Sequence, residues 1–179
     1  MIESRPVPLQ LLTIRSAPAE DREAFELFSD RADQRPLTEE GSEQMAVAAA
    51  ALVRQVPVLD RLAASPLLRG EQTAAIVAQA YGGLTPIAVP ELSPGNPPMA
   101  MLRWLRGQPG AGCTAVVGHD PDLGKFLSWL LVGSDKPVLS LEPGAACLLE
   151  FTKEVGAGTA TLRWSLTPAQ LAALAAADP

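Results

Sequence analysis

Short apolar runs and amphipathic stretches alternate along this chain. The run Leu9 to Ile14 has strand character and ends abruptly in Arg15, Ser16 and Ala17, after which Pro18 forbids the strand to continue. Further on, Met45, Ala48, Ala49, Leu52 and Val53 recur at helical spacing, the stripe of an amphipathic helix. Thr38 precedes that stripe as an N-cap, and Glu39 and Glu40 fill the first turn, where carboxylates suit the helix dipole. The alanine-rich face predicts close packing on a sheet. Leu59 to Ala64 reads as a second strand, with Ser65-Pro66 following at once as cap and first residue of a helix that runs to about Tyr81. Gly82-Gly83 stops it and Pro86 to Val89 makes a short third strand. Asn96-Pro97 repeats the capping device before a helix carrying Met99, Leu102, Trp104 and Leu105.

A Gly/Pro-rich turn over Gly107 to Gly112 leads into Cys113 to Val117, a near-continuous apolar strand of the kind buried on both faces in a parallel sheet. Gly118-His119-Asp120-Pro121 leaves that strand, with Asp120 as N-cap and Pro121 as first helical residue. Leu123, Phe126, Leu127, Leu130 and Leu131 then give a second clear helical stripe. Two strands, Ala145 to Phe151 and Thr159 to Ser165, pair as an antiparallel hairpin at one sheet edge, and Thr167-Pro168 caps a last helix. Met1 to Pro8 reads as a loose lead-in, and Ala19 to Arg35 as a charged surface loop with a helical turn at its centre. Repeated strand-helix succession predicts an α/β fold: three layers, α/β/α, around a mostly parallel sheet with the antiparallel C-terminal hairpin at its edge. With 179 residues and no linker, residues 1–179 are expected to form one domain.

Charge narrows the partners. Fourteen Lys+Arg against twenty Asp+Glu give a net charge of −6, which argues against general attraction to nucleic acid or to an anionic membrane. Any anion must therefore be held locally. Cys113 and Cys147 lie inside apolar strands, where a cysteine behaves as a small buried hydrophobe. The N-terminus lacks the apolar segment of a signal peptide and no run reaches membrane-spanning length, so a cytoplasmic protein is expected. Metal-ligand spacing, nucleotide-binding glycine loops and thiol pairs are not visible, and neither a metal nor a cofactor is expected. His119 is the only histidine, which removes any chemistry needing two.

Three groups sit at the carboxyl ends of predicted parallel strands: Arg15 and Ser16, Ser65 to Arg69, and His119. In a parallel sheet these ends face one edge, where distant residues converge. Arg69 in the first turn of its helix would add free N–H groups and the dipole to two guanidinia, a set that matches phosphate oxygens. Separate surface arginines and a capped histidine account for the same letters equally well.

The segments Leu11 to Ala19, Arg35-Pro36-Leu37-Thr38 with Gly41, Ser65 to Thr73, Pro90 to Pro94, Val117 to Leu123 and Leu162 to Pro168 resemble, in order and spacing, the histidine phosphatase superfamily. Within it, the chain is most similar to the short bacterial branch of SixA-type phosphohistidine phosphatases. The Ser65 to Thr73 and Val117 to Leu123 segments are the specific ones. The resemblance implies that Arg15, Arg69 and His119 bind phosphate. It also implies a histidine nucleophile after the first strand's arginine, where this chain carries Ser16.

A serine hydroxyl needs an adjacent base to attack, and it is shorter than an imidazole. The resemblance thus implies a degenerate phosphatase that binds a phosphate group, on a phosphorylated small molecule or a phosphoprotein, with little or no turnover. The alternatives are an active phosphatase using Ser16 or water on the Arg15, Arg69 and His119 site, and a non-enzymatic interaction domain. Glu91, after the third strand, is either the acid that protonates a leaving group or a solvated loop carboxylate. Arg35 and Thr38 match a family motif near the site entrance. Trp104, Trp129 and Trp164 are expected in the core or an interface, and the segment 20–35 at the pocket rim, where a ligand would be chosen.

Overall fold

Strand β1 (Leu9–Arg15) is buried along both faces because its side chains alternate between two apolar cores. Leu12 and Ile14 join one, Leu9 and Leu11 the other. The computed structural model describes residues 8–108 and 112–177. The lead-in expected over Met1 to Pro8 therefore lies outside the described residues up to Val7, as does the centre of the Gly107 to Gly112 turn.

After β1 come α1 (Arg22–Glu26), α2 (Glu39–Gln55), β2 (Arg61–Ala64), α3 (Leu68–Ala80), β3 (Ile87–Ala88) and α4 (Pro98–Arg106). The chain continues through β4 (Gly112–Gly118), α5 (Asp122–Val132), β5 (Ala146–Phe151), β6 (Thr161–Leu166) and α6 (Pro168–Ala176). The six strands lie in the order β3-β2-β4-β1-β5-β6. β1, β2, β3 and β4 are mutually parallel, while β5 runs antiparallel to β1 and to β6. The predicted hairpin is present, with β6 at the edge and β5 joined to the centre.

Helices cover both faces. Met45, Ala48, Ala49 and Leu52 of α2 and Ala74 and Val77 of α3 pack on one side, and Leu171 of α6 joins them. Leu102 and Leu105 of α4 and Phe126, Leu127 and Leu130 of α5 pack on the other. Cys113 and Cys147 are buried free thiols, and Trp104, Trp129 and Trp164 pack against the cores. Among the described residues, no helix is long and apolar enough to cross a membrane.

Several boundaries differ from the sequence pattern. Ser65 does not cap α3: its backbone N–H still bonds Val117 in the sheet, its hydroxyl accepts from Leu67, and the helix starts at Leu68. Asn96 likewise donates to Pro90 and Ser93, tying the preceding turn, and α4 begins after Pro97. Asp120 accepts from Gly124 across a cis peptide to Pro121, and α5 begins at Asp122. Thr38 and Thr167 cap α2 and α6 as expected, the latter within a full capping box with Gln170.

This topology fixes the ligand crevice. β1 and β4 are neighbours, yet β1 leads into α2 on one face while β4 leads into α5 on the other. Their carboxyl ends therefore part and leave an opening, the usual binding position in an open α/β sheet.

Candidate functional site: an arginine-lined cradle

A cavity of about 290 Å³ opens at that point, with walls formed by Arg15, Ser16, Ala17, Arg35, Arg69 and His119. The β1–β4 register places Arg15 beside Gly118, and the ladder goes one step further as Ser16 N–H donates to Gly118 O at 2.9 Å. Arg15 and His119 are thus held side by side by main chain. Arg15 Nη1 donates to Leu141 O at 2.5 Å and lies 3.7 Å from Asp120 Oδ2. That carboxylate is itself fixed by Ser140 Oγ at 2.8 Å and Leu141 N–H at 3.0 Å.

Arg69 comes from the first turn of α3, as expected, although the helix starts two residues later than the Ser65 cap implied. Its Nη1 donates to Ala32 O at 3.4 Å, and Thr73 links its turn to β1. Thr73 Oγ1 accepts from Ala17 N–H at 3.1 Å and donates to Arg69 O at 2.7 Å. Arg35 brings a third guanidinium and is anchored on Glu20 O at 2.7 Å. The segment between them is closed at its base, where Ala19 bridges Leu37 and Glu20 N–H donates to Pro36 O. It reaches the cavity through Arg35 and carries α1 on the outside.

His119 is 7% exposed and Ser16 is 5% exposed. Ser16 Oγ is 3.2 Å from Gly118 O and 3.4 Å from His119 Nδ1. The other ring nitrogen, Nε2, is buried and has no partner among the described residues. Burial first, then the positive charges of Arg69, Arg15 and Arg35, pushes the imidazole's pKa down from 6.5 to about 3. The ring is therefore neutral near pH 7. Burial and the neighbouring Arg35 and Arg22 also pull Arg69 below its ordinary value. In a chain of net charge −6, three guanidinia and one carboxylate, Asp120, line this cavity and concentrate positive charge there.

Ser16, Arg15, Arg69 and His119 are brought together. Glu91 is not. It lies in the 3₁₀ turn Pro90–Leu92 beyond the edge strand β3 and lines a different cavity with Ala100, Arg103 and Trp104. In the sheet, β2 and β4 stand between β3 and β1. Arg35 reaches the cavity as its motif near the entrance suggested, whereas Thr73 and the Leu141 carbonyl carried no such assignment in the sequence. Thr73, four residues after Arg69, has the spacing of a hydroxyl that bonds back along its own helix.

The family model described as histidine phosphatase superfamily (branch 1) matches residues 19–93. The phosphohistidine phosphatase SixA of Escherichia coli (strain K12) is 27% identical over 140 residues, 76% of this chain and 84% of that protein. An uncharacterized protein of Picosynechococcus sp. is 34% identical over 123 residues, 65% of this chain and 74% of that one. The structure of the protein histidine phosphatase SixA complexed with tungstate superposes with a TM-score of 0.77 at 24% identity, covering 90% of this chain and 99% of that chain. Sheet order, crevice and sequence matches lead to one assignment: the chain belongs to the histidine phosphatase superfamily.

Proposed function

We propose that this protein is a degenerate SixA-like phosphatase, which holds a phosphate group or a phosphorylated ligand and turns it over little or not at all. Ser16, at the position where the family resemblance puts the nucleophilic histidine, is the observation that carries this reading. The guanidinia of Arg15 and Arg69 offer paired, charge-assisted hydrogen bonds to phosphoryl oxygens, and His119 Nε2–H can donate a further one. Arg35, which lines the same cavity, adds charge at its rim. None of these contacts requires Ser16.

Attack does require it, or a substitute. A serine becomes a nucleophile when a base takes its proton, and His119 Nδ1 at 3.4 Å is the only imidazole in reach. With its pKa near 3, that ring takes up a proton poorly. The serine oxygen also stands back from where an imidazole nitrogen would reach, and near-attack geometry tolerates little error. That the SixA structure is complexed with tungstate, a tetrahedral oxyanion, supports a phosphate-like ligand for this chain.

The Ser16–His119 contact also favours a second reading. A bound phosphate dianion offsets the guanidinium charges, restores basicity to His119, and lets Ser16 or a water attack. Assay of the purified protein on a generic phosphomonoester and a phosphohistidine peptide, beside Ser16→His and Arg15→Ala, decides between them. Our reading expects an inactive parent that binds vanadate or tungstate. Parent turnover that Arg15→Ala abolishes would establish the second. Failure to bind any oxyanion would leave an interaction domain with an inherited crevice. We place this function in one domain spanning the chain and in the cytoplasm, a reducing setting that suits its two unpaired thiols.

A further inference from the structure

A second cavity adjoins the cradle. It has a volume of about 510 Å³, shares Pro18 and Pro143 with the cradle as a common wall, and continues over Pro168 and Ala169 to Gln44 and Glu142. The two compartments have opposite polarity. The cradle presents three guanidinia, and its lining carboxylate, Asp120, is engaged by Ser140, Leu141 and Arg15. In the groove, Gln44 Nε2 is engaged with Pro143 O at 3.2 Å, which leaves the Gln44 carbonyl and the Glu142 carboxylate as acceptors. Among the described residues the Glu142 carboxylate has no hydrogen-bond or ion-pair partner.

Although its side chain is exposed, Glu142 is positioned by the cradle itself. The residue before it, Leu141, receives the Arg15 guanidinium, and Gly144 N–H donates to Arg15 O at 3.1 Å and to Ser16 O at 3.3 Å. Ala145 N–H donates to the Glu142 carbonyl at 2.9 Å, closing the turn. A carboxylate is thereby held at a set place beside the anion site, over an apolar floor of proline and alanine.

We propose that this groove is a subsite for a cationic side chain, and that the ligand is a phosphoprotein segment bearing lysine or arginine close to its phosphorylated residue. The inference rests on the cradle being a phosphate site. The floor suits the aliphatic stem of lysine or arginine, with the charged head on Glu142. The ligand's own phosphate neutralises the guanidinia that would otherwise repel that head. A small phosphorylated compound would fill the cradle and leave the larger groove uncovered.

The test uses phosphoserine peptides in pairs identical except for lysine or norleucine, placed in turn at each position within three residues of the phosphate. Calorimetry on the full chain, with tungstate as probe of the cradle, gives the affinities. At one or more positions the lysine peptide should bind about threefold more tightly, the scale of one exposed charge pair. Glu142→Gln should abolish that preference, and Glu142→Lys should transfer it to peptides carrying glutamate. Tungstate binding with equal lysine and norleucine affinities at every position, with no peptide binding, or with a lysine preference that survives Glu142→Gln overturns the subsite and leaves the cradle standing. Absence of both tungstate and peptide binding overturns the two together.

Discussion

Ser16 Oγ lies between two acceptors, Gly118 O at 3.2 Å and His119 Nδ1 at 3.4 Å, and has one proton to give. If the carbonyl takes it, the serine can only accept from Nδ1–H. If Nδ1 takes it, Nε2 carries the hydrogen and can donate to an anion in the cradle. Only the second arrangement presents a donor to an anion in the cradle, and neither removes a proton from the serine. On the function proposed above, the site lacks a nucleophile and keeps its phosphate-binding groups.

Ser16→His should therefore restore chemistry. The side chain faces a cavity of about 290 Å³, so an imidazole has room in front of the strand end. Phosphomonoester turnover should exceed the parent's by more than about 10²-fold, the lower end of what a positioned reacting group contributes. Adding Arg15→Ala should remove the gain. A Ser16→His protein that folds, binds tungstate and stays inactive would show that a second element of the machinery has been lost.

The strand ends and their edge were legible because β1 and β4 are buried on both faces and so read as apolar runs cut off by polar residues. Arg15, Ser16 and His119 followed from that edge. The start of α3 was not legible, because Ser65-Pro66 has the letters of a cap while Ser65 N–H is still committed to the sheet. That Glu91 lines a separate cavity was not legible for a related reason: a carboxyl-end loop faces the common edge, but lateral position depends on strand order, which periodicity does not encode. The Leu141 carbonyl that holds Arg15 carries no side-chain signature at all.

His119 gives a direct readout of the cradle's charge. It is the only histidine, so its ring signals in NMR are assigned at once. They should remain those of a neutral imidazole between about pH 5 and 8, with a midpoint near 3 instead of the usual 6.5. Tungstate at saturation, or Arg69→Ala, should raise that midpoint by offsetting or removing positive charge. The unfolded chain takes up this proton near pH 6.5 and the folded chain does not until about 3. Stability should consequently fall as pH drops through that window, by up to about 1.4 kcal/mol per pH unit from this residue. His119→Gln should lose that component of the slope. A midpoint near 6.5 in the free protein would refute the account.

Gly41 reports on the cavity wall. It sits in the first turn of α2, and a Cβ there would collide with the carbonyl oxygen of Pro18, which also accepts from Thr38 N–H at 3.1 Å. Backbone atoms on both sides leave little room for adjustment. Gly41→Ala should cost about 1–3 kcal/mol in urea unfolding, the range of an overpacked site. It should also weaken tungstate binding, since Pro18 lines the cradle. Unchanged stability would mean that α2 can shift without resistance.

Thr73 separates fold from site. Its hydroxyl takes a bond from the exit of β1, at Ala17 N–H, and returns one to the turn of α3 that carries Arg69. Valine fills nearly the same space but offers neither bond, and it leaves a buried N–H unpaired at a cost of about 1–3 kcal/mol. If the hydroxyl also sets the spacing between Arg15 and Arg69, Thr73→Val should weaken tungstate binding about tenfold, equivalent to about 1.4 kcal/mol. Thr73→Ser, which keeps the oxygen, should bind like the parent even if the missing methyl lowers stability. Calorimetry with tungstate and urea unfolding on the three proteins distinguish the outcomes. A valine variant that is less stable yet binds tungstate like the parent would confine Thr73 to the fold; loss of affinity restored by serine makes it the residue that positions the two guanidinia.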